Sequence, residues 1–335
     1  MFTRLFTAVF VFFVFQCKAQ QKRYSFTQPK MGAPFTIVMY STDSMRAALL
    51  AKQSFNLVDS FVYIFSDYID SSELSRLSAS SGLGARHVKV TPALWDILLL
   101  SKTAFEESGG AFDITVGPLI KLWRKARKTK QFPAKETVLA TRNLTGFKKM
   151  MIDTTNKTVL LTTSGMQLDL GGIAQGYIAQ KVIDFLSAQQ VNQVLVNVSG
   201  DIVMSNAPPG SKGWTVGINV PETTDELLPQ TLLMQNIAIT TSGDAYQFID
   251  HGGKRYSHIT DPRTGYGVTS QRNVTVIAKD GTTADWLATA CSILSIKHAK
   301  KLASQLGAEV LIGEIKRGRF VYKSTKGFIL YWKQR

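Results

Sequence analysis

Cysteine is scarce in this sequence: 335 residues contain two, Cys17 and Cys291. A disulfide framework is therefore excluded, and a chain of this length does not need one, since it can bury roughly three quarters of its unfolded surface. Zinc clusters, paired-cysteine redox motifs and a Ser-His-Asp arrangement are also missing. So are the Walker phosphate loop and the G-x-G-x-x-G dinucleotide fingerprint. Beyond residue 20 no apolar run approaches the ~20 residues needed to cross a bilayer, which excludes a multi-pass membrane protein. Acidic residues are in deficit, 24 against 39 Lys and Arg, for a net charge of +15. That balance points to an anionic ligand, an anionic membrane surface or an acidic partner. With 44% hydrophobic residues, disorder as the dominant state is excluded.

The long apolar run lies at the start. Arg4 precedes an uncharged stretch from Leu5 to Phe15, followed by Gln16-Cys17-Lys18-Ala19-Gln20. This is the pattern of a secretory signal over residues 1–19, with Cys17 and Ala19 at −3 and −1 for a cut before Gln20. A lipoprotein signal acylated at Cys17 is the rival reading, disfavoured by Gln16 where a small residue is expected. Cleavage removes Arg4 and Lys18, so +15 becomes +13. Export also disfavours nucleic acid as the partner of the positive charge.

Residues 20–335 read as one α+β domain without regular βαβ alternation. Strands are expected at Pro34–Tyr40, Thr158–Thr162, Val194–Val198, Trp214–Val220, Thr231–Thr240 and Asn273–Ala278, with terminal strands from Glu309 and Gly327. Helices are expected at Ser44–Phe65, from the Thr91-Pro92 start to Gly109-Gly110, at about Ala174–Gln189, at Asp280–Ser295 and at Lys297–Leu306. Six cations fall between Lys121 and Lys130. They form either a solvated helix face or a lip that attracts anions.

Four segments carry the chemistry. In Ala284–Ala290, Asp285 and Thr289 stand at i and i+4, so a helix places a carboxylate and a hydroxyl on one face. Such hard oxygens suit Mg²⁺, which takes few protein ligands and leaves room for phosphate and water. Leu168–Tyr177 ends a strand and opens a helix through Gly171-Gly172, where backbone can approach a phosphate. Arg255–Gly265 combines an alternating strand with a Pro-Gly turn and holds His258, a candidate proton acceptor or phosphate contact. Gly110–Leu119 sets Asp113 beside Phe112. Each segment also has an ordinary structural reading, as a turn, a cap or a packed helix face.

In this order the segments resemble the ApbE family of FAD:protein FMN transferases. Met31-Gly32, the block from Phe65 to Leu77, Val196–Ile202 and Thr241-Ser242-Gly243-Asp244 carry the resemblance further, across nearly the whole chain after residue 19. The resemblance implies a fold related to the T-fold, with mixed or antiparallel sheets and packed helices. It implies an exported enzyme that uses Mg²⁺ to move FMN from FAD onto a Thr or Ser hydroxyl of a partner, releasing AMP. The implied metal ligands are Asp285, Thr289 and the carbonyl of Gly172. The implied FAD contacts are Met31, Tyr68, Ala111, Phe112, Asp113, Asp169, Gln175 and Ile259. His258, with Asp285, is the catalytic candidate. Acceptors would be flavoprotein subunits of membrane or periplasmic redox systems, with membrane-surface association in keeping with the charge.

The sequence departs from the family pattern at Gln175 and Gln180, where many relatives carry charged residues. Ser199 replaces the first glycine of a Gly-Gly-Asp turn, and Ala288 stands where some relatives have a second aspartate. Two alternatives share the site: an FAD pyrophosphatase, with water as the nucleophile, and a flavin carrier without turnover.

Overall fold

The computed structural model describes residues 20–84, 87–218, 228–243, 247–316 and 319–334. The expected signal segment at 1–19 and Asp244 lie outside the described residues. In chain order the strands begin with β1 (Lys22–Lys30) and β2 (Ala33–Ser41), then β3 (Val88–Lys89), β4 (Met150–Asp153) and β5 (Thr158–Leu161). They continue as β6 (Val194–Val198), β7 (Asp201–Met204), β8 (Trp214–Val216), β9 (Leu232–Met234) and β10 (Ile237–Ser242). The last are β11 (Phe248–His251), β12 (Lys254–Ser257), β13 (Arg272–Ala278), β14 (Glu309–Lys316) and β15 (Arg319–Ser324). The helices are α1 (Ser44–Phe65), α2 (Glu73–Ala79), α3 (Pro92–Glu107) and α4 (Gly117–Thr129). α5 (Lys135–Arg142), α6 (Ala174–Ala188), α7 (Gly281–Ile293) and α8 (Ile296–Gln305) complete the set.

Eight strands form the central sheet in the order β1-β2-β6-β7-β10-β13-β14-β15, and every ladder in it is antiparallel. Alternation along β2 explains how one sheet serves two cores. Phe35, Ile37 and Met39 enter the main core, and Val38 points into a second core on the opposite face. The main core is closed by α1, α6, α7 and α8, whose apolar stripes supply Val58, Ile178, Leu287 and Leu302. Against the second face lie the β8–β9 pair and a 3-10 turn at Lys326–Tyr331, with Trp214, Leu232 and Phe328 buried there. The α+β reading holds.

Helix starts follow the sequence closely. Asp43 accepts hydrogen bonds from the amides of Met45 and Arg46 to open α1, and Thr91 followed by Pro92 opens α3. Asp280 caps α7 through the Thr283 amide.

Three expectations need correction. Thr231–Thr240 is not one strand: Asn236 adopts φ +53° and turns the chain, leaving β9 and β10 in different sheets. No strand begins at Gly327, which lies in the 3-10 turn with its Cα over the Glu309 carboxylate; the terminal strand is β15. The Trp214 strand stops at Val216, and 219–220 fall outside the described residues. The edge strand β1 was not expected, because Lys, Gln and Thr dilute its alternation to Tyr24 and Phe26.

Candidate active site

Two helices meet at unusually close range. A Cβ on Gly176 in α6 would lie 2.0 Å from the Gly281 carbonyl oxygen and 2.7 Å from the Asp285 Cβ. Two glycines thus let the first turn of α6 press against the first turns of α7. The approach has a consequence for hydrogen bonding. Ile173, at the N-cap position of α6, gives no side-chain cap, so the first amides of α6 need an acceptor from elsewhere. Asp285 supplies it, its Oδ2 accepting from the Gly176 amide at 2.9 Å, with the Gln175 amide adding to the cradle.

One turn along α7, Thr289 faces the glycine loop that precedes α6. A Cβ on Gly172 would stand 2.9 Å from Thr289 Oγ1 and 3.3 Å from the Phe112 ring. Only a residue without a side chain lets this backbone lie over the hydroxyl. The structure therefore brings Gly172, Asp285 and Thr289 together from two elements more than 100 residues apart.

The electrostatics of this cluster are unbalanced. Asp285 is 5% exposed, and Asp201, at the start of β7, is buried nearby. Neither forms a salt bridge among the described residues. Burial, then repulsion from Asp201, raises the Asp285 carboxyl well above the usual range. Burial likewise pushes Asp201 up to about 7, against a hydrogen bond from Thr240. A buried carboxyl pair without a salt-bridge partner among the described residues, with the Thr289 hydroxyl and the Gly172 backbone close by, offers oxygen donors that fit a hard divalent ion. No cluster of three or more His, Cys, Asp or Glu suited to a metal occurs among the described residues. Ala288 is fully buried in the main core and contributes no oxygen.

A second group gathers around Arg124 of α4. Its guanidinium lies 3.0 Å from Asp67 and 3.8 Å from Asp169, and stands over the Tyr68 ring at 4.0 Å. Tyr68, 74% exposed, thus offers one ring face to solvent while its other face is held by a cation. Burial, and then Asp67, raises Asp169 to about 6, while the Gly171 amide and Arg124 pull the other way. Arg127, next along the same helix face, acts on both Tyr68 and His258.

His258 lies between β12 and the Asp261–Gly265 turn, largely buried. Its amide donates to the Gln247 carbonyl at 2.7 Å, and its Nδ1 is buried without a partner. Burial, and then Arg127, lowers its pKa to about 4, so the ring is neutral at physiological pH. The turn beyond it is braced by Trp123 of α4, whose Nε1 donates to the Gly265 carbonyl at 2.7 Å.

The other expected contacts fall into three sets. Met31 sits at the β1–β2 turn with φ +55°, and Gln175 lies half-buried in the first turn of α6. Ala111, Phe112 and Ile259 are buried, so they can meet a ligand mainly through backbone. Asp113 is committed within its loop: Oδ1 accepts from the Thr115 amide and hydroxyl, and Oδ2 from the Phe147 amide. Gln180 takes part differently, accepting from the Gly281 amide at 3.1 Å and so holding the start of α7. Two open clefts adjoin these groups, of about 570 Å³ beside Asp261–Arg272 and about 370 Å³ beside Gly110 and Asp113; Asp285 lines neither.

Arg124 and Arg127 were legible only as members of a basic run. The tertiary contacts of Arg124 with Asp67 and Asp169, and the charge of Arg127 acting on His258, distinguish them from the rest of the run.

Comparison with known proteins agrees with this arrangement. The sequence profile of the ApbE family matches residues 31–312. The chain belongs to the ApbE family. An FAD:protein FMN transferase of Klebsiella pneumoniae is 31% identical over 263 residues, 78% of this chain and 79% of its own length. One from Vibrio cholerae is 27% identical and spans 94% of this chain and 92% of its own. The apo crystal structure of the Pseudomonas stutzeri flavinyl transferase ApbE superposes with a TM-score of 0.81 at 27% identity, covering 93% of this chain and 98% of that one. The ApbE protein of Thermotoga maritima gives 0.82 at 26% identity, covering 93% and 100%. The α+β architecture is thus the fold of the ApbE family.

Proposed function

We propose that the protein is an exported, Mg²⁺-dependent FAD:protein FMN transferase. FMN passes from FAD to a Thr or Ser hydroxyl of an acceptor protein, and AMP leaves. The observation that carries this reading is the buried Asp285–Asp201 pair lacking a cation, set against Thr289 and the Gly172 backbone. Asp285, Thr289 and the Gly172 carbonyl would hold Mg²⁺, and the ion would neutralise charge developing on the pyrophosphate. ApbE relatives named FAD:protein FMN transferase across most of the chain support the reaction class.

In the transfer, the acceptor oxygen forms a bond to the FMN phosphorus as the bond to the AMP oxygen breaks. The hydroxyl proton must leave with it. His258 is neutral, so its ring is the group we assign to accept that proton. Its low pKa makes it a weak base until an anionic pyrophosphate arrives nearby and offsets Arg127. The N-terminus of α6 favours an anion, and Arg124 steadies Tyr68 as a platform for an aromatic ring. Met31, Ala111, Phe112, Asp113, Asp169, Gln175 and Ile259 would line the remainder of FAD. The acceptors we infer are flavoprotein subunits of membrane or periplasmic redox systems.

Incubation with FAD, Mg²⁺ and a hydroxyl-bearing acceptor tests the reading. Covalent flavin on the acceptor, fluorescent after denaturation, should appear with an equal amount of AMP. FMN and AMP released at full rate without acceptor, and no covalent flavin with it, would refute transfer in favour of hydrolysis. Flavin binding with no product would point to a carrier.

A further inference from the structure

The stretch from Lys323 to Arg335 carries four cationic side chains and no Asp or Glu. Its middle forms the 3-10 turn Lys326–Tyr331. Three residues per turn set Phe328 and Tyr331 on one side, and that side is anchored. Phe328 is fully buried in the second core, with Trp332 edge-on at 5.7 Å. Just beyond, Trp332 bridges to Leu232 and the Lys333 amide donates to the Thr231 carbonyl at 2.8 Å. With the inner side pinned, Ile329 and Leu330 are turned outward, 67% and 83% exposed.

Lysines bracket the two apolar side chains. Lys326 is exposed and stands in the same row as Ile329, and Lys333 is exposed with its Nζ 3.4 Å from Thr215 Oγ1. Glu309, beneath Gly327, does not offset them, because its carboxylate is turned inward with Oε2 buried. Protein interfaces are depleted in lysine, whereas lipid surfaces recruit apolar side chains ringed by lysine. We propose that this turn seats the protein on an anionic lipid bilayer. Ile329 and Leu330 enter the acyl boundary while Lys326 and Lys333 meet lipid phosphates. The proposal goes beyond flavin transfer and does not depend on it.

The test is co-sedimentation with phosphatidylglycerol–phosphatidylcholine vesicles and with phosphatidylcholine alone. It uses the chain from Gln20 to Arg335, which contains every described element. The protein should pellet with the anionic vesicles, weakly with the neutral ones, and less as salt rises. Ile329→Ser with Leu330→Ser should lower partitioning on the order of ten-fold, from the lost apolar insertion. Thermal unfolding and flavin transfer to a soluble acceptor should stay unchanged. Lys326→Gln with Lys333→Gln should lower binding to anionic vesicles about ten-fold. Wild-type pelleting by the serine variant, or equal binding to neutral vesicles, would overturn the proposal. So would binding to polyglutamate without pelleting on either vesicle, which would assign the turn to an acidic protein partner.

Discussion

Replacing Gly176 by alanine perturbs the closest contact between α6 and α7. The new methyl would stand 2.0 Å from a backbone carbonyl, that of Gly281, and 2.7 Å from the Asp285 Cβ. Backbone cannot rotate away as a flexible side chain can, so the helices must separate by about 1 Å or more. Overpacking of this kind costs about 3 kcal/mol, and the better helix propensity of alanine returns about 1 kcal/mol. A net loss of about 2 kcal/mol lowers Tm by roughly 3 °C in a chain of this size. Function should suffer more than stability. The separation draws the Gly176 and Gln175 amides off the Asp285 carboxylate and carries Gly172 away from Thr289. The Mg²⁺ concentration for half-maximal flavin transfer should therefore rise at least ten-fold in protein that is still fully folded by circular dichroism. Unchanged Tm together with unchanged Mg²⁺ dependence would refute the argument that this helix crossing builds the site.

Asp285→Asn keeps an oxygen for the α6 amides but removes a buried charge, so the metal-free protein should keep or gain thermal stability while Mg²⁺-dependent transfer is lost; transfer at normal Mg²⁺ dependence would contradict the assignment. Asp201, near 7 in the folded protein against 3.8 for a free carboxyl, holds extra protons between those pH values. The metal-free fold therefore loses stability from this group as pH rises from 4 to 7, and Mg²⁺ should raise Tm more at pH 8 than at pH 5.5 in a thermal-shift series. Arg124→Gln leaves Asp67 and Asp169 facing each other without their shared cation, so the Asp169 pKa should climb above 6 by NMR titration and the KM for FAD should rise several-fold. Ser199→Gly should stabilise the β6–β7 turn by about 0.5–1 kcal/mol in urea denaturation, because Ser199 holds φ +53°, a conformation that costs a side-chain-bearing residue and not glycine.

The sequence by itself determined what depends on near neighbours. The cap Asp43, the Thr91-Pro92 start and the apolar stripe of α1 are local signals, and the helices begin where those residues stand. The i, i+4 placement of Asp285 and Thr289 is likewise a property of one helix, and their juxtaposition survives into the structure unchanged. The motif order sufficed to indicate the family. Tertiary structure decided what depends on distant chain segments. Asn236 breaks an apparently continuous strand through a backbone torsion that no alternation reveals, and Gly327 lies in a 3-10 turn packed so closely on Glu309 that a side chain would not fit. Asp113 read as an isolated acid beside an aromatic, and the fold ties its carboxylate to Thr115 and Phe147. Arg124 looked like one cation among six and is the residue that joins Tyr68 to Asp169. The pairing of Asp285 with α6 is the clearest case. Gly176 and Gly281 are 105 positions apart, and only their contact turns an ordinary helix aspartate into the buried, uncompensated carboxylate on which the site depends. Burial and approach distance set that charge state, and both are properties of the packed molecule, not of any window of sequence.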